Sequence, residues 1–205
     1  VYGKIRLADI EAMKPESWDL SGATHVRVTM PACADTETTM QRQGFVFADR
    51  TLKVSIGLSK VSADLTRFMR LPLVETSEYK DDIFTIAHES FTRDRRFHIL
   101  PKCDQTVSAL VLREWVAAID KAWVCLYHDR LIGFLVLKSM APDTGFVHLA
   151  AVAEEYRITG AAMGLYAKAI EVARERGYKK LEGRISSLNT AVMNIYATFG
   201  AVFSD

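Results

Sequence analysis

Residues 147–163 read VHLAAVAEEYRITGAAM, and the fold turns on how this stretch is parsed. The β-rich apolar run over 146–152 predicts a strand, and a short charged loop follows it. Gly160 then opens a run to Arg176 with Leu165, Ala169, Ile170 and Ala173 on one side at helical spacing, stopped by Gly177. The strand-to-helix turn carries Arg157-x-x-Gly160-x-Ala162. A helix start presents unpaired N–H groups and a positive dipole end, and small residues let an anion reach the backbone. Small residues also occur where a helix packs tightly on a sheet, so this stretch alone leaves both readings open.

Working outward, 180–186 reads as a short strand. Residues 189–199 read as a helix with Val192, Ile195 and Phe199 inward, closed by Gly200. Tyr196 adjoins that stripe without being central to it. A lone tyrosine there is commonly half-buried with its hydroxyl in water. Upstream, Asp104 is a candidate N-cap for a helix whose inward face is Val107, Leu110, Val111, Trp115 and Ile119. Residues 122–127 and 131–138 form a hairpin around His128-Asp129-Arg130. Residues 76–91 read as a further helix. Nearer the start, 24–29 and 52–58 alternate as half-buried strands do. Asp35 or Thr36 is a candidate cap for a helix through Arg42 that stops at Gly44. The boundary candidate is Arg70-Leu71-Pro72. It divides a small strand-rich α/β part, 1–70, from a mixed-sheet α/β domain, 76–205.

Composition narrows the class. The 205 residues are 49% hydrophobic and carry a formal net charge of +1, enough for a sizeable core and too balanced for non-specific nucleic-acid binding. No apolar run approaches the ~20 residues that span a bilayer, and no charged-then-apolar signal segment opens the sequence. Cys33, Cys103 and Cys125 are odd in number and far apart, which suits a reducing cytoplasm. The five histidines show no metal-ligand spacing, so no metal is expected. Residues 141–205 hold seven basic and seven acidic side chains, so an anionic ligand must be held by placed groups rather than by a general basic patch.

Taken together, the Arg157 to Ala162 turn after a strand and the Asn189 to Tyr196 to Gly200 helix after the next strand resemble the Gcn5-related N-acetyltransferase (GNAT) superfamily. The resemblance covers about residues 76–205. Weaker matches resemble its TDP-fucosamine acetyltransferase-like branch: Glu89-Ser90-Phe91, Arg95-Arg96-Phe97-His98, Glu114-Trp115-Val116, and in the N-terminal part Gln41 to Phe45 and Asp49 to Val54.

The resemblance implies a GNAT fold and acetyl-CoA as co-substrate. It implies that the pantetheine arm lies along the backbone of Leu149, Ala150, Ala151 and Val152, where neighbouring strands splay. The diphosphate would sit by Arg157 on the N–H groups of Ile158, Thr159, Gly160, Ala161, Ala162 and Met163. Asn189 would fix the arm near the sulfur, the Val152 N–H would polarise the thioester carbonyl, and Tyr196 would be the general acid. The acceptor is then a small-molecule primary amine, in this branch a nucleotide-linked amino sugar, with Glu89, Arg96 and His98 as acceptor-binding candidates. Glu89, His98 and His148 are candidate bases, each equally readable as a structural or surface residue. A peptide, polyamine or antibiotic amine, or a non-catalytic acyl-CoA-binding module, are the alternatives. Neither nucleic acid nor membrane is an expected partner, and a homodimer is an open option. The start at Val1 and the stop within a strand at 201–203 lead us to expect a natural chain longer at both ends.

Overall fold

A computed structural model describes residues 7–11, 25–30, 33–91 and 105–204. Strands β1 (Leu7–Glu11) and β2 (His25–Thr29) pair in parallel as a two-stranded sheet. Helix α1 (Ala34–Arg42) is capped at Cys33, whose Sγ accepts from the Thr36 N–H at 3.4 Å, so the cap falls before the expected Asp35 or Thr36. Gly44, with φ of +87°, closes it as expected.

A seven-stranded sheet holds the remainder. Its members are β3 (Thr51–Gly57), β4 (Leu73–Thr76), β5 (Ala122–Tyr127), β6 (Arg130–Ala141), β7 (Thr144–Val152), β8 (Lys180–Ser186) and β9 (Val202–Ser204). Their spatial order is β4-β5-β6-β7-β8-β3-β9. Only the β7–β8 pair in this sheet is parallel. The β5–β6 turn uses His128 and Asp129 with φ of +47° and +59°, the two positive values that a tight hairpin with right-handed twist requires.

Among the described residues four helices dress the sheet: α2 (Lys80–Phe91), α3 (Gln105–Ala117), α4 (Ala161–Glu175) and α5 (Thr190–Thr198). The expected helix from 76 starts later, because residues through Thr76 pair with β5 and the Thr76 hydroxyl accepts from the Glu78 N–H at 3.0 Å. Asp104, the expected cap of α3, lies outside the described residues. That helix buries Val111, Leu112 and Val116 with Ile119 just beyond it, while Leu110 is exposed, so its inward face is rotated from the expected one.

The boundary near residue 70 does not divide the sheet. Strand β3 comes from the N-terminal part and runs between β8 and β9, in register from Thr51 opposite Ser186 to Gly57 opposite Lys180. Val54 and Ile56 are fully buried and join the core under α4 with Leu165, Ala169 and Ile170. Burying two aliphatic side chains contributes about 3–6 kcal/mol, which ties this strand to the sheet. A second core on the opposite face packs α2 and α3 against Val124, Phe134, Val136 and Leu149.

The chain between β3 and β4 lies along α4. Arg174 Nη2 donates to the carbonyls of Leu58 (2.8 Å) and Val61 (2.7 Å), and Nη1 donates to that of Ser62 (3.1 Å). Nearer the start of α4, the same segment passes over Gly164, where a Cβ would stand 3.1 Å from the Phe68 carbonyl oxygen. The helix is alanine-rich at Ala161, Ala167, Ala169 and Ala173, and these small side chains let it sit close on the sheet.

Candidate active site

Where β7 leaves β8, the sheet opens. On one edge of β7 the register to β6 runs Val136 opposite Leu149, then Leu137 opposite Val147. His148 is therefore the extra residue of a β-bulge, which kinks its strand and raises the local twist. On the other edge, pairing with β8 ends at Val147 opposite Gly183. Residues 149–152 stay paired with β6 alone, and their second edge is open toward the gap. An open strand edge presents backbone donors and acceptors that an extended amide-bearing arm can satisfy.

Tyr196 stands at the start of this gap. Its hydroxyl lies over Gly183, in space that any Cβ there would occupy. The ring packs edge-on against Tyr166, with centroids 5.0 Å apart at 78°. The residue is 1% exposed, so it is the centre of the inward face of α5 rather than its margin, while Val192 and Ile195 are only partly buried. Burial, and then the neighbouring Tyr166 hydroxyl, raise its pKa well above the usual tyrosine value. Tyr166 is pushed up to about 12, also by burial. Tyr196 thus keeps its proton at any working pH, which suits an acid and excludes a base.

The turn from β7 to α4 is a short 3-10 helix, Glu154–Thr159, followed by Gly160 at φ of +84°. A Cβ on Gly160 would meet nothing within 4 Å, so the backbone there is open to a ligand. The Thr159 hydroxyl donates to the Tyr156 carbonyl at 2.7 Å and accepts from the Ala161 N–H at 3.3 Å. Of the amides expected to face an anion, that of Ala161 already has a local partner. Ala162 and Met163 lie in the first turn, where helix geometry supplies no carbonyl four residues back within the helix. Ile158 is 97% exposed, and Arg157 reaches Glu154 at 3.8 Å on the surface.

Asn189 caps α5, with Oδ1 accepting from the Val192 N–H at 3.2 Å. Its remaining donors are the amide N–H groups. Glu89 is exposed near the end of α2, and beside it the Ser90 hydroxyl donates to the Val152 carbonyl at 3.5 Å, joining α2 to the open strand. Partial desolvation, and then the Lys138 ammonium, lower the pKa of His148, an exposed side chain on the bulge, below the usual histidine value, which favours the neutral imidazole at pH 7. Arg95, Arg96 and His98 lie outside the described residues. So does Cys103. Cys125 is fully buried and its thiol is pushed up to about 11 by burial, which fits a packing role. Among the described residues no group of three His, Cys, Asp or Glu side chains could hold a metal ion.

Three site features escape sequence reasoning: the bulge at His148, the glycine beneath Tyr196, and the buried Tyr166. Gly183 had a signal, since a glycine inside a strand often marks close approach of another group. The bulge had none, because it is a register difference among three strands.

The open strand edge at 149–152, the glycine-bearing start of α4 and the buried Tyr196 are the features that the GNAT resemblance implies. Residues 81–201 match the acetyltransferase (GNAT) family, and the chain belongs to that family. No curated protein matches it. Among solved structures it is similar to a functionally unknown conserved protein from Staphylococcus epidermidis ATCC 12228, at TM-score 0.59 and 14% identity, covering 86% of this chain and 68% of that one. It is also similar to a GCN5-related N-acetyltransferase from Sphaerobacter thermophilus, at TM-score 0.56 and 14% identity, covering 87% of this chain and 56% of that one. A GNAT-family acetyltransferase from Novosphingobium aromaticivorans DSM 12444 gives TM-score 0.52 and 17% identity, covering 75% of this chain and 60% of that one. The chain thus spans less than two thirds of the latter two. The GNAT family uses acetyl-CoA as acyl donor, and this chain is an enzyme of that family.

Proposed function

We propose that this enzyme acetylates the primary amine of a nucleotide-linked 4-amino-4,6-dideoxyhexose, as the TDP-fucosamine acetyltransferase-like branch does. The observation that carries the catalytic part is the Tyr196 hydroxyl standing over Gly183 where β7 and β8 part. Support for the branch comes from Glu89-Ser90-Phe91 and Glu114-Trp115-Val116, the first of which lies where Ser90 touches the open strand at Val152.

Acetyl-CoA supplies an acetyl group on a good leaving sulfur. The residues present fit it: an open β7 edge at 149–152 for the amides of the arm, and the open backbone at Gly160 with the first-turn amides of α4 for the diphosphate. The Asn189 amide N–H groups are donors toward the arm. Neutral His148 on the bulge accepts the proton that the acceptor amine loses. Tyr196 holds a proton at Oη and gives it up to the leaving group. The donors lie on strands and helices rather than on long loops, so orientation is set before substrate arrives. From the N-terminal part, β3 extends the sheet beyond β8. The free thiols of Cys33 and Cys125 suit a reducing cytoplasm, where nucleotide sugars are built.

Release of free thiol from acetyl-CoA, measured across nucleotide-linked 4-amino sugars, peptide α-amines, polyamines and aminoglycosides, tests the acceptor. The 4-amino sugar is expected to give the highest kcat/KM, by about tenfold or more. A higher value for any of the other classes would reassign the acceptor and leave the coenzyme chemistry in place.

A further inference from the structure

Beyond Gly183, β8 has parted from β7 and pairs on its other edge with β3. The stitching runs on past the end of that pairing, where Thr51 lies opposite Ser186. The Ser187 N–H donates to the Arg50 carbonyl at 2.8 Å, and the Asn189 N–H donates to the Ser186 carbonyl at 3.0 Å. A side-chain bond crosses the same boundary: the Ser186 hydroxyl donates to Asp49 Oδ1 at 3.0 Å. The same Ser186 oxygen accepts from the Leu188 N–H at 3.1 Å. Asp49, a residue of the N-terminal part, is thus linked through one hydroxyl to the turn that starts α5.

Asp49 is held at one oxygen. Oδ1 also accepts from the Arg50 N–H at 2.9 Å, while Oδ2 is shielded from solvent and has no hydrogen-bond partner among the described residues. A shielded polar atom without a partner costs free energy, and its presence calls for a role that the other oxygen performs. What Oδ1 fixes is the direction of the Ser186 hydroxyl, and with it the acceptor for the Leu188 N–H.

We propose that Asp49 is a positioning residue for acetyl transfer. Through Ser186 it sets the 186–189 turn, and the turn sets where the Asn189 amide points and where α5 seats Tyr196. The proposal deepens the reading of Tyr196 as the acid and rests on it. Asn189 caps α5 with Oδ1 on the Val192 N–H, so a shift of the turn carries the amide and the helix together. Tyr196 follows about two helical turns later. Its hydroxyl has little slack, because it lies over Gly183 in space that any Cβ there would take. A misplacement of about 1 Å at a reacting group costs about 10²-fold in rate, so a smaller shift still registers. The main-chain pairing of β3 with β8 from Thr51 to Gly57 does not involve the Asp49 side chain. Removing that side chain therefore loosens the turn without releasing the strand.

The test is free-thiol kinetics on the full chain with acetyl-CoA and the preferred amine acceptor, paired with urea titration of each variant. Asp49→Ala is expected to lower kcat by about tenfold with the urea midpoint unchanged. Asp49→Asn keeps an acceptor for the Ser186 hydroxyl and should stay within about twofold of the wild type. Ser186→Ala removes the same bond from the other side, which keeps the test independent of how Asp49→Ala folds, and it should also lose about tenfold. The combined Asp49→Ala/Ser186→Ala variant should be no slower than either alone, because both cut one linkage. Four results overturn the assignment and leave the acid reading standing: a wild-type kcat in Asp49→Ala, losses that multiply to about 10²-fold in the combined variant, an Asp49→Asn as slow as Asp49→Ala, or a fall in kcat that tracks a lowered urea midpoint. A wild-type kcat in Tyr196→Phe overturns the acid reading and this proposal with it.

Discussion

The Tyr196 hydroxyl occupies the place where a side chain on residue 183 would be, so α5 and β8 meet through a glycine. A Gly183→Ala substitution must push the phenol away from the gap or spread the two elements. Overpacking of this kind costs about 1–3 kcal/mol. We expect Gly183→Ala to lower stability by that amount in urea titration and to lower kcat by about tenfold or more, with acetyl-CoA affinity changed less than threefold. Unchanged kcat with normal stability would show that the position of the phenol does not matter for turnover.

His148 gives a pH dependence with a definite sign. Its pKa is lowered by partial desolvation and then by Lys138, so the neutral form that accepts a proton persists below pH 6.5. The rate should fall only when pH drops through that lowered value. Lys138→Met removes the charge that contributes to the lowering, and the acid limb of kcat/KM should move up toward 6.5. His148→Ala should remove the limb and lower kcat by about 10²-fold. An acid limb that stays in place in Lys138→Met would assign it to another group.

Arg174 ties the chain between β3 and β4 to α4 with three bonds to carbonyls. A hydrogen bond from a charged donor is worth about 1.5–3 kcal/mol net, and partial exposure reduces the total. Arg174→Ala should lower stability by about 2–3 kcal/mol in chemical denaturation. Arg174→Lys should recover less than half, because one ammonium cannot reproduce a fork aimed at three acceptors.

Much of this is legible in sequence, and for local reasons. The inward face of α4, Leu165, Ala169, Ile170 and Ala173, follows from helical period, and all four residues are buried. The hairpin at His128-Asp129 follows from two β-rich runs and a short turn. The glycine at 160 is a positional signal that a chain written in one dimension preserves. What stays hidden is long-range. Nothing near Thr51 says that β3 will pair with Ser186 on one side and with β9 on the other. The rotated face of α3 and the late start of α2 reflect tertiary pairing overriding period and capping. The depth of Tyr196 was also hidden, because its burial depends on Gly183 and Tyr166 rather than on its own helix stripe.

Tyr196→Phe keeps the ring in its packed site and removes only the hydroxyl that carries the proton. In a free-thiol assay with acetyl-CoA at saturating acceptor, we predict that kcat falls by about 10²-fold while acetyl-CoA affinity changes less than threefold. A kcat equal to that of the wild type would contradict the role assigned to Tyr196.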